Sequence, residues 1–158
     1  MSAETTTPTE RLRALGLELP APDPVLDWHL PVADDDGLLW VSGQVPFVDG
    51  ALPHTGALAS DDDVAIGYDC ARRCAAHVLA QLAKAAGSLE RIAAVPKITV
   101  FVASAPGFTR QPEVAHGASE LLFEVLGAAG RHARSAVGVA ALPLGAPVEV
   151  EAVARVRR

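Results

Sequence analysis

Aromatic side chains are scarce in this chain, with four phenylalanines, two tryptophans and one tyrosine among 158 residues. Its apolar half comes mostly from alanine and valine, whose short side chains let helices and strands approach closely but build a modest core. Burial against sister subunits would add apolar contact, so the composition points to an oligomer. Cysteine is nearly absent. Cys70 and Cys74 exclude a disulfide scaffold and, one helical turn apart, read as small buried hydrophobes. Positive charge is also short: 13 Lys and Arg against 19 Asp and Glu leave a net charge of −6 and a pI near 5.3. A nucleic-acid binder usually shows a basic patch or stripe, and the only basic cluster here is the chain end at Arg155, Arg157 and Arg158, which reads as solvated. Nucleic acid is therefore not an expected partner. No run reaches the roughly 18 apolar residues of a membrane span, and the polar stretch Met1 to Arg13 is unlike a secretory signal. A cytoplasmic, reducing location is expected. The histidines at 29, 54, 77, 116 and 132 show no ligand spacing, so no metal is expected. Ser42 lacks a nucleophile elbow around it, and there is no phosphate-cradling glycine loop.

The length suits one domain spanning 1–158. Residues 1–8 read as disordered. Thr9 is a candidate cap for a short helix to Leu15, and the prolines of Leu19 to Pro24 give an extended lead-in. A first strand is predicted over Val25–Val32, an acidic turn over Asp34–Gly37, and a second strand at Leu38–Val41, apolar on both faces. Asp49-Gly50 reads as a hairpin turn. Asp61 to Asp63 supply a cap and favourable charge for a helix to Ala86, stopped by Gly87, with Ala71, Cys74, Ala75, Val78 and Leu82 on one stripe. Ile98–Ala103 is a buried strand. Pro112–Leu126 is a second helix with Val114, Ala118, Leu121, Leu122 and Val125 on its apolar face. Ser135–Leu142 and Val148–Val156 are the last strands. The order β-β-α-β-α-β-β gives an α+β fold: a mixed sheet with two helices on one face. Two helices cannot cover both faces, so the other face is expected to pack between subunits.

Few residues are placed for chemistry. In Gly130-Arg-His-Ala-Arg-Ser-Ala136, Arg134 stands nearest the following strand, and a guanidinium fork fits a carboxylate at two points. On spacing alone it reads first as an ordinary surface arginine. Glu149 and Glu151 alternate with Val148, Val150 and Ala152, which puts both carboxylates on one face of a strand. That face is either solvated or an interface cleft where a carboxylate could place or deprotonate a water. His116 lies opposite the apolar stripe of its helix and so faces water or another subunit.

Two separated segments carry a resemblance. Leu38-Leu-Trp-Val-Ser-Gly-Gln-Val-Pro46 resembles the strand ending in Ser-Gly-Gln of the RidA (YjgF) family of reactive-intermediate deaminases. Ala133-Arg-Ser-Ala-Val-Gly-Val-Ala-Ala-Leu-Pro143 followed by Val148-Glu-Val-Glu-Ala152 is similar to its C-terminal signature. The likeness runs in order from about Pro24 to Arg157, and the Gly-Arg-His-Ala-Arg-Ser wording marks a divergent subgroup. It implies a chorismate-mutase-like fold, a homotrimer with a central barrel, active sites between subunits, and cofactor-free hydrolysis of enamine and imine acids to 2-keto acids and ammonia. Carried over by position, Arg134 would grip the substrate carboxylate. Glu149 and the backbone carbonyl of Ala136 would position the water, and Ser42 and Gly43 would line the pocket. Trp28 stands where the family commonly has tyrosine, and His116 where asparagine is usual. Indole donates one hydrogen bond but cannot accept as a phenol does. Two alternatives therefore stay open: a pocket recruited to a bulkier imine-type substrate in a dedicated pathway, and a non-catalytic trimer that binds a carboxylate metabolite.

Overall fold

In the computed structural model, which describes residues 6–157, five strands form one sheet in the order β1-β2-β5-β3-β4. They are β1 (Val32–Asp35), β2 (Leu38–Gln44), β3 (Ile92–Ala103), β4 (Ala133–Val139) and β5 (Val148–Val156). β3 and β4 run parallel, and every other neighbouring pair is antiparallel. Helices α2 (Val64–Ala86) and α3 (Gln111–Leu126) lie side by side on one face, and a short α1 (Pro8–Ala14) packs against α3. This is the α+β arrangement expected, with the apolar stripes of both helices fully buried on the sheet.

The helix ends follow local chemistry. A single turn of 3-10 helix over Asp61–Asp63 leads into α2, with the Asp63 carboxylate accepting from the Ala59 and Ser60 amides. α2 stops where Gly87 turns left-handed, at φ 85°. α1 is capped by Thr7, not Thr9, because Pro8 supplies the pre-set φ of a first helical residue and Thr7 forms a capping box with Glu10. Thr7 and Pro8 are thus part of a cap, contrary to the disorder expected there. Met1 to Thr5 and Arg158 lie outside the described residues.

The edge strand departs most from expectation. Val25 to Pro31 is not a strand: Leu26 and His29 exchange backbone hydrogen bonds of 3.0 and 3.3 Å around a tight turn carrying Trp28. The strand begins at Val32 and continues through Asp34 and Asp35, because the turn proper is Asp36-Gly37, both at positive φ. Aspartate is a poor strand former, and pairing with β2 overrides that preference. β2 runs on to Gln44, and its faces differ: Leu39 and Val41 are buried while Trp40 is 52% exposed. β3 starts earlier, at Ile92, with register breaks that accommodate Pro96. β4 spans Ala133 to Val139 and ends three residues before Leu142.

α2 and α3 approach closely at Gly117, where an added Cβ would stand 2.1 Å from the backbone oxygen of Tyr68. A carbonyl inside a helix cannot swing aside as a side chain can. Gly117→Ala is expected to lower stability by about 1–3 kcal/mol despite alanine's better helix propensity, read from the urea midpoint.

Alternation along the strands decides where each polar group goes. Val100, Val102, Val148, Val150 and Ala152 face the helices and are buried. Lys97, Thr99, Phe101, Glu149, Glu151 and Val153 therefore face the other way. Among the described residues no helix covers that open face.

Candidate functional site

The open face gathers one cluster of the candidate residues. Val41 pairs with Ala152 and Gln44 with Val150, so β2 carries one extra residue between them: a bulge at Ser42-Gly43. The Gln44 side chain is buried on the helix side, where Nε2 donates to the Ser42 carbonyl at 3.1 Å and Oε1 accepts from Gln81 at 3.4 Å. That buried amide pins the bulge from below, which gives the Ser-Gly-Gln run a structural reason. Above the bulge lies Glu149. A Cβ on Gly43 would fall 1.9 Å from Glu149 Oε1, so only glycine leaves the carboxylate room to lie across the strand. Burial, and then the neighbouring Glu151, push the Glu149 carboxyl above its ordinary range.

Ser42 ties this cluster to the loop before β1. Its hydroxyl donates to the Leu30 carbonyl at 2.8 Å and its amide to Pro31 O at 2.9 Å, with His29 Nε2 at 3.5 Å. Trp28, at the tip of that loop, is 84% exposed.

The second cluster sits on the edge strand and the opposite face. Arg134 pairs in register with Ile98, whose side chain faces the helices, so the guanidinium rises beside α3. Its Nη1 lies 3.1 Å from Ser119 Oγ and 3.2 Å from His116 Nδ1. A guanidinium only donates, so both contacts are accepted by α3. His116 is exposed, as its place off the apolar stripe predicted. Of the other basic residues in the run, Arg131 sits 5.6 Å from the centroid of the Phe123 ring, and His132 bonds to Gly130 O and Ser119 Oγ. Ala136 follows Arg134 by two residues on the same strand face, with its side chain packed against the core.

One chain thus brings Ser42, Gly43 and Glu149 together, and separately joins Arg134 to His116. It does not join the two clusters. β3 lies between β4 and β5, so they are two strand spacings apart, about 10 Å, on opposite faces of the sheet. Cys70 and Cys74 are fully buried; burial pushes the Cys70 thiol up to about 11 and Cys74 higher, so neither serves as a thiolate.

Residues 9–155 match the family described as YjgF/chorismate mutase-like, putative endoribonuclease. The chain belongs to that family. A relative from Trypanosoma cruzi, protein TCP17, is 45% identical over 142 residues, covering 89% of each chain. The crystal structure of Atu1372 from Agrobacterium tumefaciens, a protein of unknown function, superposes with a TM-score of 0.86 at 42% identity, covering 93% of this chain and 91% of that one. Escherichia coli TdcF with bound serine superposes at 0.60 and 26% identity, covering 87% and 94%. The YjgF fold is therefore shared, and this member stands nearer to Atu1372 than to TdcF.

Ser119 and the bonding role of His132 carry no signal in the sequence pattern. Ser119 follows His116 by three residues, hence on the same helix face, but a serine at that spacing is unremarked until the strand carrying Arg134 is seen to pass it.

Proposed function

We propose that this chain hydrolyses reactive enamine and imine acids to 2-keto acids and ammonia, as a homotrimer with its sites between subunits. The observation that carries this reading is the division of the two clusters. A carboxylate-gripping arginine and a water-positioning glutamate stand on opposite faces of one sheet, so a small substrate reaches both only if a second copy lays its open face beside the first copy's β4 edge. The uncovered face supports such an association, with Trp40 and Val137 exposed on it. In the trimer the three open faces line a central barrel.

The chemistry asks little of the protein. An iminium carbon is already electrophilic, so water adds to it without a strong nucleophile. The oxygen's proton passes to nitrogen, the carbon–nitrogen bond of the tetrahedral adduct breaks, and a keto acid and ammonium ion leave. Arg134 holds the carboxylate, and Glu149 with the Ala136 carbonyl aligns the water and takes its proton. The serine bound by TdcF is a small amino acid whose carboxylate suits the same fork. The net charge of −6 weighs against an RNA substrate. Trp28, exposed on the loop that Ser42 anchors, would widen the range toward bulky or cyclic imines.

The test supplies imines in place with an amino-acid oxidase and follows keto-acid and ammonia release. Arg134→Ala and Glu149→Gln homotrimers are each expected to be inactive. Trimers reassembled from an equal mixture should recover about a quarter of wild-type sites, the fraction that random assembly gives a site with one intact contribution from each side. No recovery in mixed trimers would remove the shared site, and no acceleration of any imine would remove the deaminase.

A further inference from the structure

Arg134 does not stand alone on the edge strand. It ends a chain of hydrogen bonds whose direction can be assigned from atom types. His132 Nδ1 lies 2.6 Å from the Gly130 carbonyl, which only accepts, so Nδ1 carries the proton. Burial, and then the nearby Arg134 charge, favour the neutral ring over the attraction of that carbonyl for the charged one. A neutral ring protonated at Nδ1 has a bare Nε2. That atom lies 2.9 Å from Ser119 Oγ, so the serine hydroxyl donates to it. The serine oxygen keeps its lone pairs for Arg134 Nη1, at 3.1 Å. Arg134 donates to Ser119, Ser119 to His132, and His132 to the backbone of Gly130.

The second Nη1 proton goes to His116 Nδ1 at 3.2 Å. Both protons on that nitrogen are then engaged, while Nε and Nη2 have no hydrogen-bond partner among the described residues. Those two nitrogens share one edge of the guanidinium and form a two-point fork.

We propose that Ser119 and His132 are positioning residues, which hold Arg134 so that its Nε–Nη2 edge meets the substrate carboxylate side-on. The inference rests on the imine-hydrolase reading for its substrate, but the hydrogen-bond chain exists without one. Each residue acts through the guanidinium, removing rotational freedom that binding would otherwise have to remove.

The test uses the whole 15N-labelled protein with no ligand. His132 should show the neutral, Nδ1-protonated tautomer. The two Nη signals of Arg134 should be resolved by hindered rotation, and should collapse in Ser119→Ala and in His132→Ala. His132→Gln should keep them largely resolved, since its amide oxygen can accept from Ser119. With imine substrate, Ser119→Ala and His132→Ala should raise KM about 3- to 10-fold with kcat within about two-fold, and His132→Gln should recover most of that loss. A merely structural role would lower the melting temperature and kcat together. An Nε2-protonated His132, or Arg134 signals unchanged in Ser119→Ala, would overturn the proposal. If wild type hydrolyses no imine, the deaminase reading falls alone, because the nitrogen spectra still decide whether the chain holds Arg134.

Discussion

Arg134→Ala is expected to lower kcat/KM for imine hydrolysis by about 10²- to 10³-fold, the scale of truncating one partner of a hydrogen-bonded charge pair. The fold should not notice. Arg134 is half-buried at the end of its hydrogen-bond chain and makes no ion pair among the described residues. Melting temperature and oligomeric mass by light scattering should match wild type. Arg134→Lys should recover little, because an ammonium is a point charge and cannot present two parallel donors while a third group engages Ser119. Unchanged turnover in Arg134→Ala would remove the central claim.

Glu149→Gln should be at least as damaging to rate and harmless to stability. Loss of a group that aligns water and accepts its proton costs about 10²- to 10⁴-fold, and the amide preserves shape against Gly43. The pH dependence follows from the raised carboxyl. In the proposed mechanism the ionised form is the active one, so the acid limb of kcat/KM should lie above the ordinary glutamate range, and Glu151→Gln should move it down by removing the neighbouring charge. For stability the sign is opposite to that of a salt-bridged carboxylate. The folded state holds the proton at pH values where the unfolded chain has released it. At neutral pH the ionised Glu149 therefore works against folding; this penalty shrinks as pH falls from the raised value through the ordinary carboxylate range, and is gone below it. Glu149→Gln should melt at or above wild type at pH 7 by calorimetry, and differ less at pH 4. A variant both slower and clearly less stable would assign Glu149 a structural role instead.

Much of the fold was legible because its main signals are local. The stripes Ala71-Cys74-Ala75-Val78-Leu82 and Val114-Ala118-Leu121-Leu122-Val125 recur at steps of three and four, Gly87 and Gly127 stop the helices, and Val148–Val156 alternates cleanly. Those patterns follow from 3.6 and 2 residues per repeat and need no partner to be read. The first strand was misplaced because Val25 to Val32 has strand-like composition, whereas the true strand contains two aspartates that only its pairing with β2 holds extended.

For the site, the sequence by itself determined which candidate side chains are available: an arginine at the start of β4, two alternating glutamates on β5, and a Ser-Gly-Gln at the end of β2. The tertiary structure alone decided what each can reach. Sequence spacing said nothing of the bulge that brings Gly43 beneath Glu149, since that depends on the register between β2 and β5. Nor did it give the meeting of Arg134 with Ser119 and His116, which lie 15 and 18 residues away and come together because β4 runs parallel to β3 and passes beside α3. The same pairing sets Arg134 and Glu149 on opposite faces of the sheet. Side-chain direction alternates with each residue along a strand, so register, a property of the assembled sheet, settles which groups can meet.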